Sequence, residues 1–111
     1  MPSIPVANLD TSIAFYVKTL GFNLVFQNGD AFAIVSRNGV EIGLPSAVAH
    51  DVTPGAGKCY IKVKGITHLY TGYCSKGVTI LHKLKTESYG MKEFQIADPD
   101  GNEINFGEPE L

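Results

Sequence analysis

The side chains of this chain that could do chemistry stand at alternate positions of short apolar runs. Glu103 and Asn105 alternate with Ile104 and Phe106, Glu93 and Gln95 with Phe94 and Ile96, and Glu41 and Gly43 with Ile42 and Leu44; Lys58, Tyr60 and Lys62 alternate with Cys59 and Ile61. Carboxylates, amides, a phenol and ammonium groups gathered on one pleated face can orient a small molecule by hydrogen bonds and ion pairs. A carboxylate so placed can also serve as a general base. Nucleophilic catalysis has less to work with, because neither Ser36 nor Ser46 has a histidine beside it in sequence. His50, His68 and His82 fall in a linker, a helix and a strand and share no i, i+4 spacing. Cys59 and Cys74 form no metal-binding spacing and read as small thiols kept reduced. No glycine-rich phosphate loop follows a strand.

The elements that must position these groups occur twice. Val6 and Val63 each end a short apolar run, and each is followed by a helical stretch that stops at a glycine, Gly21 and Gly77. The tails also match: Gly39-Val40-Glu41-Ile42-Gly43-Leu44 and Gly101-Asn102-Glu103-Ile104-Asn105-Phe106 agree in type at the glycine, the glutamate and both apolar positions. A repeat of about half the chain predicts one domain over residues 1–111, built of two units at 1–46 and 58–111 with a linker at 47–57.

In the first unit Leu9, Ile13, Tyr16 and Leu20 recur at helical spacing, and Asp10 is the expected N-cap. Strands follow at Asn23 to Gln27, Ala31 to Ser36 and Val40 to Leu44, separated by Asn-Gly-type turns. The second unit reads as a strand from Cys59 to Val63, a helix from Ile66 to Ser75, and strands at Val78 to Leu84, Met91 to Ala97 and Asn102 to Gly107. Each unit is therefore βαβββ, and the class is α+β. Strand alternation turns the apolar sets toward the helices and the polar sets toward a cavity that the two sheets would enclose.

With 111 residues, 44% of them hydrophobic, the chain can bury a core without room for a second domain. A net charge of -2 and the lack of a basic cluster beyond Lys58, Lys62 and Lys64 argue against nucleic acid as a partner. The N-terminal residues do not read as a signal peptide, and no apolar run is long enough to span a membrane, so a cytoplasmic location is expected.

The segment Pro5-Val6-Ala7-Asn8-Leu9-Asp10-Thr11-Ser12-Ile13-Ala14-Phe15-Tyr16, continuing to Leu20-Gly21-Phe22, resembles the opening of the glyoxalase / bleomycin-resistance / extradiol-dioxygenase superfamily, the vicinal-oxygen-chelate fold. Asp98-Pro99-Asp100-Gly101-Asn102 resembles its closing signature. The resemblance covers nearly the whole chain and implies two tandem βαβββ modules whose curved mixed sheet surrounds a cavity. It does not choose an activity, since metal-dependent enzymes and metal-free drug binders share the fold.

Carrying the family's metal positions over reaches Met1, Gly43, Lys58 and Asn105, a set with no good ligand for a divalent ion, so no metal or other cofactor is expected. Missing ligands are similar to the bleomycin-resistance branch, in which a homodimer sequesters its ligand in clefts between subunits. That likeness implies Phe32 and Tyr89 as aromatic contacts. With the polar face, the expected ligand-binding set is Phe32, Glu41, Lys58, Tyr60, Lys62, Tyr89, Gln95 and Asn105, with no catalytic residue. Pro2 and Pro5 suit a first strand that crosses to the partner. Lys58 and Lys62 on the cavity side predict a neutral or anionic aromatic or amphiphilic ligand, with the lysines pairing it or pairing Glu41, Glu93 and Glu103. The alternative is a divergent glyoxalase-like lyase or dioxygenase, with one of those glutamates as base.

Overall fold

A computed structural model describes residues 1–110. In chain order it contains α1 (Leu9–Ala14) running into a π-helical turn (Phe15–Thr19), then β1 (Asn23–Asn28), β2 (Phe32–Arg37), β3 (Val40–Pro45), β4 (Lys58–Lys62), α2 (Ile66–Ser75), β5 (Thr79–Thr86), β6 (Met91–Ala97) and β7 (Glu103–Pro109). The strands form two sheets, β1-β2-β3 and β4-β7-β6-β5. β4 runs parallel to β7, and the other neighbours are antiparallel. The segment before α1 adds to the first sheet by parallel bridges, Ser3 to Gly43 and Val6 to Ser46. Both halves thus have one spatial order, the opening strand beside the closing one.

That N-terminal segment pairs with its own chain, where a crossing to a partner was expected. Ile4 and Val6 donate to the Gly43 and Pro45 carbonyls at 2.8 and 3.0 Å, and the Pro2 carbonyl accepts from Gly43 at 2.8 Å. Both prolines occupy positions where the ladder needs no N–H, so neither weakens it.

The N-cap also differs from the expectation. Asn8, not Asp10, caps α1, its side-chain oxygen accepting from the Thr11 amide at 3.0 Å, while Asp10 lies in the first turn and favours the positive end of the dipole. Gly21 and Gly77 end the helical stretches at φ 81° and 72°, where an L side chain would be strained. At the start of α2 no local side chain caps the helix; Glu108, remote in sequence on β7, accepts from the Gly65 and Ile66 amides at 2.9 and 3.1 Å. These two backbone bonds hold its carboxyl below the usual range.

One apolar cluster serves both halves. Ala33, Val35, Ile42 and Leu44 from the first sheet and Ile61, Phe94, Ile96, Ile104 and Phe106 from the second are all buried in it, beneath Tyr16 and Tyr73 from the helical segments. Burying each such aliphatic or aromatic side chain contributes about 1.5–3 kcal/mol. Polar contacts join the halves: Tyr16 donates to Asp98 at 2.9 Å and Tyr73 to the Leu20 carbonyl at 2.7 Å. Burial, with Asp98 beside it, pushes the Tyr16 phenol far above its ordinary value.

Cys59, on β4, is buried and Cys74, on α2, is exposed. Burial, and then the Asp98 charge, raise the Cys59 thiol to about 12, so little nucleophilic thiolate exists near neutral pH. Titration of the folded protein with a colorimetric disulfide reagent is expected to count one fast thiol per chain, rising to two in denaturant. Equal fast reaction of both thiols in the native protein would contradict the burial of Cys59.

Candidate functional site

The face of each sheet turned away from the core carries the sequence-predicted groups. In the second sheet Tyr60 lies opposite Asn105, Asn105 opposite Gln95, and Gln95 opposite His82, forming one row across four strands. The next row holds Lys62, Gly107, Glu93 and Lys85. Gln95 donates to Asn105 at 3.0 Å, and Asn105 donates to the Cys59 carbonyl at 3.2 Å, which fixes both amides and leaves the Gln95 oxygen as a free acceptor.

Tyr60 leans across Gly107, filling the space that a side chain there would occupy, and donates to Glu93 at 2.5 Å. Tyr89, at the tip of the β5–β6 hairpin, donates to the other oxygen of the same carboxylate. Burial, then this hydrogen bond, raise the Tyr60 phenol; the bond itself is the main cause that raises Tyr89 to about 12. Both phenols are therefore neutral donors near physiological pH. An open cavity of about 470 Å³ lies over this face, bounded by His82, Lys85, Glu87, Glu93, Gln95 and Asn105.

Lys58 and Lys62 do not share this cavity as expected; Lys83 and Lys85 line it instead. Lys58 pairs with Glu103 at 3.8 Å, both well exposed, an interaction worth about 0–1 kcal/mol. Lys62 lines a separate groove with Arg37, Lys64 and Glu108. Glu93, expected as a lysine partner, is held by two tyrosine hydroxyls instead.

The first sheet's outer face is aromatic and apolar around Phe32 and becomes polar toward Ser36 and Glu41. Phe32 packs between Phe26 and His50, with ring centroids 6.4 and 6.5 Å away. A side chain at Gly43 would meet the Met1 methyl at 3.1 Å and the Phe32 ring at 3.2 Å. Glu41 is exposed and lines a shallow cavity of about 550 Å³ with Met1 and Pro2. Phe26 and His50 were missed by sequence reading. A bulge between Leu24 and Phe26 turns Phe26 to this side, so simple alternation would misplace it.

Registers make the two faces comparable position by position. Phe32 stands opposite Pro45 and Ile34 opposite Gly43; Glu93 stands opposite Gly107 and Gln95 opposite Asn105. At these two pairs of equivalent sites the first half is apolar and the second polar, while the third pair, Ser36 opposite Glu41 in the first half and Ala97 opposite Glu103 in the second, is polar in the first half too. The structure brings Tyr60, Tyr89, Gln95 and Asn105 together. Among the described residues, no hydrogen bond or aromatic pair links them to Phe32 or Glu41. Nor does any group of three or more His, Cys, Asp or Glu among the described residues converge as a metal site would require.

Two tandem βαβββ modules with outward faces suited to a small molecule define the class. Residues 2–106 match the model of the Glyoxalase/Bleomycin resistance protein/Dioxygenase superfamily, and the chain belongs to that family. A bleomycin resistance protein of Geobacillus stearothermophilus is 34% identical over 96% of this chain and 92% of its own length. Among solved structures, a superfamily member from Sphaerobacter thermophilus superposes with a TM-score of 0.84 at 27% identity, over 96% of this chain and 92% of that one. TnmS3, an antibiotic-binding protein from Streptomyces sp. CB03234, gives 0.81 at 25% identity, over 97% and 92%.

Proposed function

We propose that this protein is a non-catalytic small-molecule-binding protein of the bleomycin-resistance type. It sequesters an aromatic or amphiphilic ligand, in the cytoplasm, in a cleft completed by a second copy of the chain. The observation that carries this reading is the division of ligand-facing groups into an apolar face and a polar face that do not meet within one chain. A homodimer that sets the first face of one copy against the second face of the other makes two equal clefts by symmetry. Each cleft then has an aromatic wall with Phe32 and a hydrogen-bonding wall with Tyr60, Gln95 and Asn105, the composition of a small-molecule site. The sequence relative named for bleomycin resistance and the antibiotic-binding structural neighbour support the same reading.

Both oxygens of Glu93 already accept from phenol hydroxyls, so neither is free to take a proton from a substrate while those bonds stand. The test combines light scattering with a titration. Scattering is expected to give twice the 12.0 kDa chain mass. Titration with a panel of planar compounds that includes bleomycin should show saturable binding, followed by tyrosine fluorescence, with the ligand recovered unchanged. Stoichiometric divalent metal after purification, together with turnover of any panel compound, would replace this reading with the enzyme.

A further inference from the structure

We infer that the groove between the β2–β3 turn and the ends of β4 and β7 binds an oxyanion, a phosphate or carboxylate group, through Arg37, Lys62 and Lys64. This groove, of about 790 Å³, shares no lining residue with the cavity over Gln95 and Asn105 and is a separate site. Its three cations stand against a single carboxylate, Glu108. Both oxygens of Glu108 already accept from the Gly65 and Ile66 amides. Among the described residues, none of the three cations forms an ion pair.

Arg37 is held in place before any ligand arrives. One of its terminal nitrogens donates to the Leu20 and Gly21 carbonyls at 3.2 and 3.3 Å and fills the space that a side chain at Gly21 would take. Its Nε is buried and has no acceptor among the described residues. Carbonyls orient a guanidinium without cancelling its charge, and a planar fork so fixed suits an oxyanion. The internal repeat makes a second, equivalent junction. Gly39 matches Gly101 and Val6 matches Val63, so Asn38 corresponds to Asp100, Lys64 to Ala7 and Tyr73 to Tyr16. At that junction the Ala7 amide donates to Asp100 at 3.3 Å and Tyr16 donates to Asp98 at 2.9 Å, so the turn brings its own carboxylates to the neighbouring half. The β2–β3 turn instead carries Arg37 and Asn38 and shares an open groove with Lys62 and Lys64, while Tyr73 donates to the Leu20 carbonyl. An oxyanion from solution would supply here the negative charge that Asp98 and Asp100 supply at the closed junction.

The test follows backbone amide signals by NMR while the intact protein is titrated with sodium phosphate and, separately, with sodium acetate, at neutral pH and constant ionic strength. Saturable shifts are expected at Asn38, Gly39, Lys62 and Lys64, with half-saturation by phosphate on the order of 1 mM. A net charge of -2 gives anions no general attraction to the chain, so saturation there reports the local cluster. Lys62→Gln combined with Lys64→Gln should weaken phosphate binding about tenfold and leave the thermal midpoint unchanged, since both side chains are exposed. Lys83→Gln combined with Lys85→Gln, in the other cavity, should alter it by less than about twofold. Saturation by phosphate, by acetate or by both supports the inference and tells which group the groove takes. Absent shifts, shifts that grow linearly with concentration, or equal losses in the two double variants overturn it.

Discussion

Asn102→Ala is expected to cost about 3–5 kcal/mol of stability and about 12–20 °C in thermal midpoint. Asn102 is fully buried where the two halves meet. Its side-chain oxygen accepts from the Gly57 amide at 2.7 Å, and its amide nitrogen donates to the Pro5 carbonyl and to Asp98, each at 2.8 Å. Its backbone amide also donates to Asp98 at 2.8 Å. Truncation leaves the buried Gly57 N–H and part of the buried Asp98 carboxylate without partners, and the Pro5 carbonyl with only the longer bond from the Gly55 amide at 3.4 Å. Pro5 and Ile4 lie within about 3 Å of the space beside Gly57 and narrow the room for a water to replace the lost amide. Tyr16→Phe removes only one donor from Asp98 and is expected to cost about 1–2 kcal/mol. Urea denaturation of the two variants measures both. A loss below about 1 kcal/mol in Asn102→Ala would show that the halves are not held at this point.

Gly107→Ala is expected to weaken ligand binding about tenfold or more while costing no more than about 1 kcal/mol of stability. The new methyl would occupy the space taken by the end of the Tyr60 ring, so the ring must swing off β7 and release Glu93. Tyr60 is 43% exposed and can move into solvent, which keeps the folding cost low. Binding responds because the hydrogen-bonding wall loses the Tyr60 phenol. Titration with the panel of planar compounds and urea denaturation on the same samples separate the effects. Unchanged affinity with intact folding would mean that Tyr60 does not form part of the ligand site.

Much of this arrangement is legible in the residues. The repeat, the helical stops at Gly21 and Gly77 and the alternation of Glu93, Gln95, Glu103 and Asn105 all depend on local periodicity, which the structure reproduces. The helix Ile66–Ser75 and the strand Met91–Ala97 fall at the expected residues. Errors arise where a remote group competes with a local one. Asp10 is a good N-cap by type, but Asn8 occupies the position where the backbone leaves the extended conformation. Glu108 caps α2 across 42 residues of chain, and sequence adjacency gives no sign of it. The π-helical turn at Phe15–Thr19 is not marked by the helical spacing of Leu9, Ile13, Tyr16 and Leu20.

By itself the sequence determined which side of β3, β4, β6 and β7 is polar, because neighbouring side chains must point to opposite faces and only one face can join the core; the bulge in β1 escaped it. It also determined that the positions carried over as metal corners, Met1, Gly43, Lys58 and Asn105, hold poor ligands. Tertiary structure chose among the partners of those polar groups: Lys58 takes Glu103, one of the three glutamates expected for it, whereas Glu93 bound by two phenols and Tyr60 lying across Gly107 come from the fold alone. Hydrogen bonds and ion pairs depend on ångström-scale distances between segments far apart in sequence, and only the folded register sets those distances.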